Sequence, residues 1–148
     1  MELASNQKRI TAFVIDDLII SIFFMIIFYE QISSLLMATG SSGEITETTL
    51  NTVNSFLADN LIIVFAIKVL YHTILVWQNG MTIGKYIAKI KVISIYTEQR
   101  PSFQQAFLRA SVRLISDTFF YLGYLMAFFT KNRQTLHDKL SNCVVVYV

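Results

Sequence analysis

Residues 12–37 read AFVIDDLIISIFFMIIFYEQISSLLM, and this stretch decides the fold. Its apolar length is enough to cross the roughly 30 Å hydrocarbon layer of a bilayer at about 1.5 Å per residue. A basic start followed by an apolar stretch can also be a secretory signal. Here the stretch is too long, holds Asp16 and Asp17, and leads to no small-residue cleavage pattern, so it reads as a retained helix. Tyr29 and Glu30 mark the far interface, and residues 39–43 (TGSSG) stop the helix.

Beyond this helix, residues 44–59 (EITETTLNTVNSFLAD) are polar, with three acidic residues and no Lys or Arg, and read as an extracytoplasmic loop. A second apolar stretch, residues 60–77 (NLIIVFAIKVLYHTILVW), spans with its flanks; Asp59 or Asn60 can cap its start and Trp77 suits a headgroup boundary. Residues 78–102 then carry Lys85, Lys89, Lys91 and Arg100 against Glu98. By the positive-inside rule this loop is cytoplasmic, and so is the N-terminal segment with Lys8 and Arg9. Ile83, Ile87 and Ile90 recur beside Lys85 and Lys89, which predicts a surface helix whose lysine stems snorkel. Residues 91–96 (KVISIY) read as a short strand and residues 98–102 as a turn.

Two readings fit residues 103–130. The amphipathic part (FQQAFLRASVRLIS) and the apolar part (TFFYLGYLMAFF) make either one membrane helix or a surface helix followed by a re-entrant segment bending near Gly123. The closing stretch CVVVYV, residues 143–148, is β-branched and wants a strand partner, for which residues 91–96 are available. That pairing and the basic residues Lys131, Arg133 and Lys139 place the tail in the cytoplasm, whereas a three-span count places it outside. The fold expected is therefore an all-α integral membrane protein. It is a small bundle of two transmembrane helices and a third membrane-embedded or spanning segment, with a short cytoplasmic β pair and a single domain over residues 1–148.

Composition agrees. Of 148 residues, 54% are hydrophobic and 15% charged, and the mean hydropathy is +0.53. A soluble domain of this size would expose too much apolar surface. A net charge of +2, without basic and aromatic residues interleaved, argues against nucleic acid. Expected partners are the lipid bilayer, a monovalent cation and further copies of the chain. The single Cys143 excludes an internal disulfide.

Ionised groups in hydrocarbon cost roughly 2.5 to 3.5 kcal/mol each on insertion scales, so they mark candidate sites. Arg9 and Asp16 share a face of the first helix. Lys68 and His72 share a face of the second by i,i+4 spacing, and Arg109, Arg113 and Asp117 line the third segment. The plain reading is that these charges neutralise one another and fasten the helices. The sharper one is that an aspartate binds and releases a cation or proton, with a neighbouring Lys or Arg setting its pKa. Residues 80–85 (GMTIGK) resemble a phosphate loop only superficially: the glycine spacing is short and Tyr86 stands where Ser or Thr would hold magnesium. They read instead as a turn entering the surface helix. His137 beside Asp138 makes no nucleophile dyad, and two distant histidines with one cysteine make a poor ligand set. Neither catalysis nor a cofactor or metal is expected.

Taken together, the motifs resemble those of the RDD family of membrane proteins, named for one arginine and two aspartates. Residues 9–16 (RITAFVID) are similar to the family's opening motif, residues 80–85 with Lys91 and Val92 to its central segment, Arg109 to a recurring arginine, and residues 133–140 (RQTLHDKL) to its closing motif. The resemblance implies a site built from Arg9, Asp16 and Asp138, with Asp17 as an addition beside the named aspartate. It also implies a multi-pass location in the cell membrane and a role in transport, with sodium/proton exchange suggested for some relatives; accessory, non-transporting roles occur among similar domains. A pairing of Arg9 with Asp138 requires the tail to return to the side of the N-terminal segment, and Arg9 would then bridge Asp16 and Asp138 as a clamp.

Overall fold

The computed structural model describes residues 2–40, 46–119, 122–130 and 132–148. Among the described residues, seven helices and two strands follow one another as α1 (Asn6–Ile27), α2 (Tyr29–Gly40), α3 (Glu47–Asn79), α4 (Ile83–Ala88), β1 (Ile90–Ser94), α5 (Phe103–Thr118), α6 (Leu122–Phe129), α7 (Leu136–Leu140) and β2 (Cys143–Tyr147). Two of them, α1 and α3, are long and apolar enough to cross a membrane.

The first apolar stretch is not one helix. It breaks at Phe28, whose ring is buried against Phe24 and Phe56 with centroids 4.8 and 5.5 Å away. Packing that ring against α3 turns the chain into α2, so Tyr29 and Glu30 begin a new helix rather than end a span. The expected stop at residues 39–43 begins inside α2, and residues 41–43 lie outside the described residues. Nor are residues 47–59 a loop. Thr46 caps α3 by accepting from the Thr49 amide, and Leu50, Val53, Phe56 and Leu57 give that stretch a helical apolar stripe. Asp59 and Asn60 therefore sit mid-helix and cap nothing. At 33 residues, α3 is about 50 Å long, well beyond a 30 Å layer.

The described residues within 103–130 form two helices and not a single span. The first, α5, starts from a Ser102–Gln105 capping box. It runs 16 residues, and α6 runs eight; each is shorter than the roughly 20 residues a crossing requires. The chain turns at Phe119, upstream of the bend expected at Gly123, which lies within α6.

The strand pair forms as expected, antiparallel, with Ile90 opposite Tyr147, Val92 opposite Val145 and Ser94 opposite Cys143. Both of its edges are covered. Leu3 bridges Val146 and the Ala4 amide donates to the Val145 carbonyl at 3.0 Å, while the Val92 amide donates to the Gly80 carbonyl at 2.7 Å. Ala4, Ala12, Val76, Ala88, Ile90, Val92, Ala106, Cys143 and Val145 form the core at this end of the molecule.

Away from that core the usual distribution inverts. The buried stripe of α1 is Ala12, Asp16 and Ile20, whereas Leu18, Ile22, Met25 and Ile26 face out; on α3, Ile62 is 80% exposed and His72 is buried. Apolar residues outside with charge inside is the arrangement an apolar solvent selects.

Candidate functional site

Asp16 is fully buried on the inner stripe of α1, at a point where the small residue Ala12 lets α4 approach closely. Gly84 completes that approach, since a Cβ there would collide with the Ala12 carbonyl oxygen and lie 2.9 Å from the Asp16 carboxyl. The carboxylate thus meets the first turn of α4. Oδ1 accepts from the Gly84 amide at 2.8 Å and the Tyr71 hydroxyl at 2.9 Å, and Oδ2 accepts from the Thr82 hydroxyl at 2.6 Å. Thr82 is also the N-cap of α4, so one residue starts the helix and holds the acid. The Lys85 ammonium lies 3.8 Å from Oδ2 and 3.3 Å from the Thr82 hydroxyl. Burial, with Arg109 adding to it and Asp16 opposing, pushes the Lys85 pKa down to about 7.

The lysine finding corrects the surface-helix expectation. Ile83 and Ile87 face outward, and Lys85 between them points inward instead of snorkelling.

Asp138 occupies the first turn of α7, where a reciprocal capping box with Thr135 fixes it. Its Oδ1 accepts from Arg109 Nε at 2.8 Å and lies 2.7 Å from Arg109 Nη2, and its Oδ2 accepts from Arg9 Nη1 at 3.0 Å. Burial alone would raise this acid, but Arg109 foremost, with Arg9, holds it well below the usual carboxylate range. Burial keeps the adjacent His137 well below its ordinary pKa, so the ring is neutral.

The remaining expected residues form separate contacts. Asp17 points outward, partly exposed, 3.6 Å from Lys68. Asp16 is therefore the inward-facing one of the two. Arg113 Nη1 lies 3.2 Å from His72 Nδ1, which must accept because a guanidinium has no acceptor. The Arg113 head also sits 5.2 Å above the Phe13 ring. Asp117 accepts from the Tyr124 hydroxyl at 3.2 Å. Arg9 and Asp138 pair as the resemblance invited, but Arg9 does not bridge to Asp16, whose oxygens are taken by α3 and α4. Tyr71, Thr82, Gly84 and Lys85 were absent from the expected site. The available signal was Thr82 itself, a good N-cap before a glycine-containing turn, whose freed amides need an anion.

Between the two aspartate centres lies a cavity of about 270 Å³, with Arg9, Lys85, Arg109, Arg113, His137 and Asp138 among its lining. Among the described residues no three of His, Cys, Asp and Glu converge as a metal-ligand group would.

Comparison with known proteins places this geometry. A proline-rich antigen homolog of Mycobacterium tuberculosis is 34% identical over 67 residues, covering 45% of this chain and 28% of that protein. An uncharacterized protein of Rickettsia prowazekii is 26% identical over 101 residues, covering 66% of this chain and 56% of that protein. The chain thus spans about a quarter to a half of the length of these relatives. No solved structure matches. The sequence profile of the RDD family matches residues 3–142, a range that holds Arg9, Asp16 and Asp138 together with the α4 turn that binds Asp16, and the chain belongs to that family.

Proposed function

We propose that this chain is a multi-pass domain of the cell membrane whose buried charges fasten its helices as a non-transporting scaffold. The family, the two long apolar helices and the outward-facing apolar side chains support residence in the bilayer. The pairing of residues 3 and 4 with β2 supports having both ends of the chain on one side, and the basic segments support that side being cytoplasmic. The scaffold role rests on one observation: both oxygens of Asp16 and of Asp138 are already engaged by donors from other elements. A cation pathway needs acceptor oxygens free to face the ion.

Cation transport, with sodium/proton exchange as its form, is the second reading, and Lys85 favours it. An ammonium with a pKa of about 7 beside Asp16 can give up its proton near neutrality and leave the carboxylate to a monovalent cation. So thin a bundle encloses no pathway by itself, so this reading also requires a homo-oligomer.

Proteoliposome flux separates the two. The scaffold reading expects no sodium- or pH-driven flux, and an Asp16→Asn variant that changes only thermal stability. A flux that a folded Asp16→Asn protein loses would overturn it.

A further inference from the structure

The cavity beside Asp138 holds more positive charge than the fastening role uses. Four cations, Arg9, Lys85, Arg109 and Arg113, line it against the single carboxylate of Asp138. Counting Asp16 behind Lys85 and Asp117 near Arg113 leaves one cation over while Lys85 keeps its proton, and none once that proton is released near pH 7. The hydrogen-bond inventory agrees. Arg113, 6% exposed, and His137, 3% exposed, keep Nε and Nδ1 without a partner among the described residues, and so do Arg9 Nε and Nη2. Buried guanidinium N–H groups left over in a low-dielectric site call for an oxyanion, the acceptor their fork geometry suits.

The walls define the rest of the ligand. Besides these heads the lining holds the polar residues Asn6, Tyr124 and Thr135, and the buried amide oxygen of Asn6 also has no partner among the described residues. The rest is apolar, and two of its members, Ile10 at 54% and Phe128 at 60% exposure, also lie on the outer apolar surface of α1 and α6. The cavity therefore joins the outward-facing apolar surface. At about 270 Å³ it falls just short of the roughly 300 Å³ at which drug-sized pockets begin. That space suits a headgroup and not a whole amphiphile. We infer that this cavity binds the anionic headgroup of a membrane lipid, with the phosphate on the Arg9, Arg109 and Arg113 side and the acyl chains running out past Ile10 and Phe128. The site goes beyond the scaffold reading and stands whether or not the chain carries a flux.

Native mass spectrometry of the purified full chain, equilibrated in detergent with dioleoylphosphatidylglycerol or dioleoylphosphatidylcholine, tests the assignment. The anionic lipid should be retained about tenfold more strongly, as expected for one charge-assisted contact set. Arg113→Gln should remove most of that preference. Because Arg113→Gln also disturbs His72 and can impair folding, Ala127→Leu provides an independent variant. It fills the cavity from α6 without touching a charge, and should reduce retention of phosphatidylglycerol while leaving the melting temperature unchanged or higher. Equal retention of the two lipids, or an undiminished preference in Ala127→Leu, would overturn the site. Displacement of phosphatidylglycerol by inorganic phosphate at equal concentration would assign the cavity to a soluble oxyanion and overturn the lipid.

Discussion

Asp16 and Asp138 are both fully buried, yet they are neutralised in different ways. Asp138 sits between two guanidiniums, at 3.0 and 2.7 Å. Asp16 is held mainly by neutral donors, two hydroxyls and a backbone amide, with one lysine at 3.8 Å. A buried carboxylate can thus be stabilised by fixed charge or by oriented dipoles. The first kind cannot respond when its partner is lost, whereas the second keeps a lysine that can drop its proton.

The contrast is sharpest when each acid is removed. Asp138→Ala strands two buried arginines and should cost about 3 to 5 kcal/mol, whereas Asp16→Ala lets Lys85 become neutral and should cost about half as much. Equal losses by thermal denaturation in detergent would break the comparison. Next, Gly84→Ala forces α4 off the Ala12 carbonyl, which is backbone and cannot swing aside. A loss of about 2 to 3 kcal/mol is expected, with no change in the Asp138 centre as read from an Arg109-dependent crosslink between α5 and α7. Thr82→Val then removes the shortest bond to Asp16 and the cap of α4 together. It should cost about 2 kcal/mol, and Thr82→Ser should restore most of it.

The smallest effect is the pH dependence. Unfolded Lys85 keeps its proton to its ordinary value of 10.5, whereas the folded chain releases it at about 7. In between, the unfolded state binds more protons, so stability should rise with pH by about 1 kcal/mol from pH 7 to 8. The rise should be absent in Lys85→Met. A wild-type curve parallel to that of Lys85→Met would show that the two centres do not differ in this respect.

Much of this was legible in the sequence where length or residue type alone decides. The apolar runs of α1 and α3 need only counting, and the β-branched run 143–148 could pair with little else than residues 91–96. Asp138 beside Arg9 was within reach only through the resemblance to the RDD family, whose named residues invite the pair. What stayed hidden depended on direction and partners. Ile83 and Ile87 at i,i+4 spacing describe an amphipathic helix equally well with Lys85 outside or inside, and the surrounding solvent decides which. Residues 80–85 lack the spacing of a phosphate loop, yet its physics is present: a hydroxyl and an amide at a helix start hold an anion, which here is the chain's own Asp16. Polarity was the poorest guide at residues 47–59. A polar segment with a threonine cap and a spaced apolar stripe is a helix as readily as a loop.

The Leu3–Val146 bridge has a consequence for biogenesis. Ser5 donates its amide to the Tyr147 hydroxyl, a partner 142 positions downstream. A contact of such separation closes last, and on the proposed residence in the bilayer α1 enters the lipid before its partners exist, Asp16 waiting for residues 71–85 and Arg9 for Asp138. Insertion machinery or a chaperone that shields α1 during that delay would then bear directly on yield, and a ribosome stalled before residue 138 would leave Arg9 without the carboxylate it pairs with.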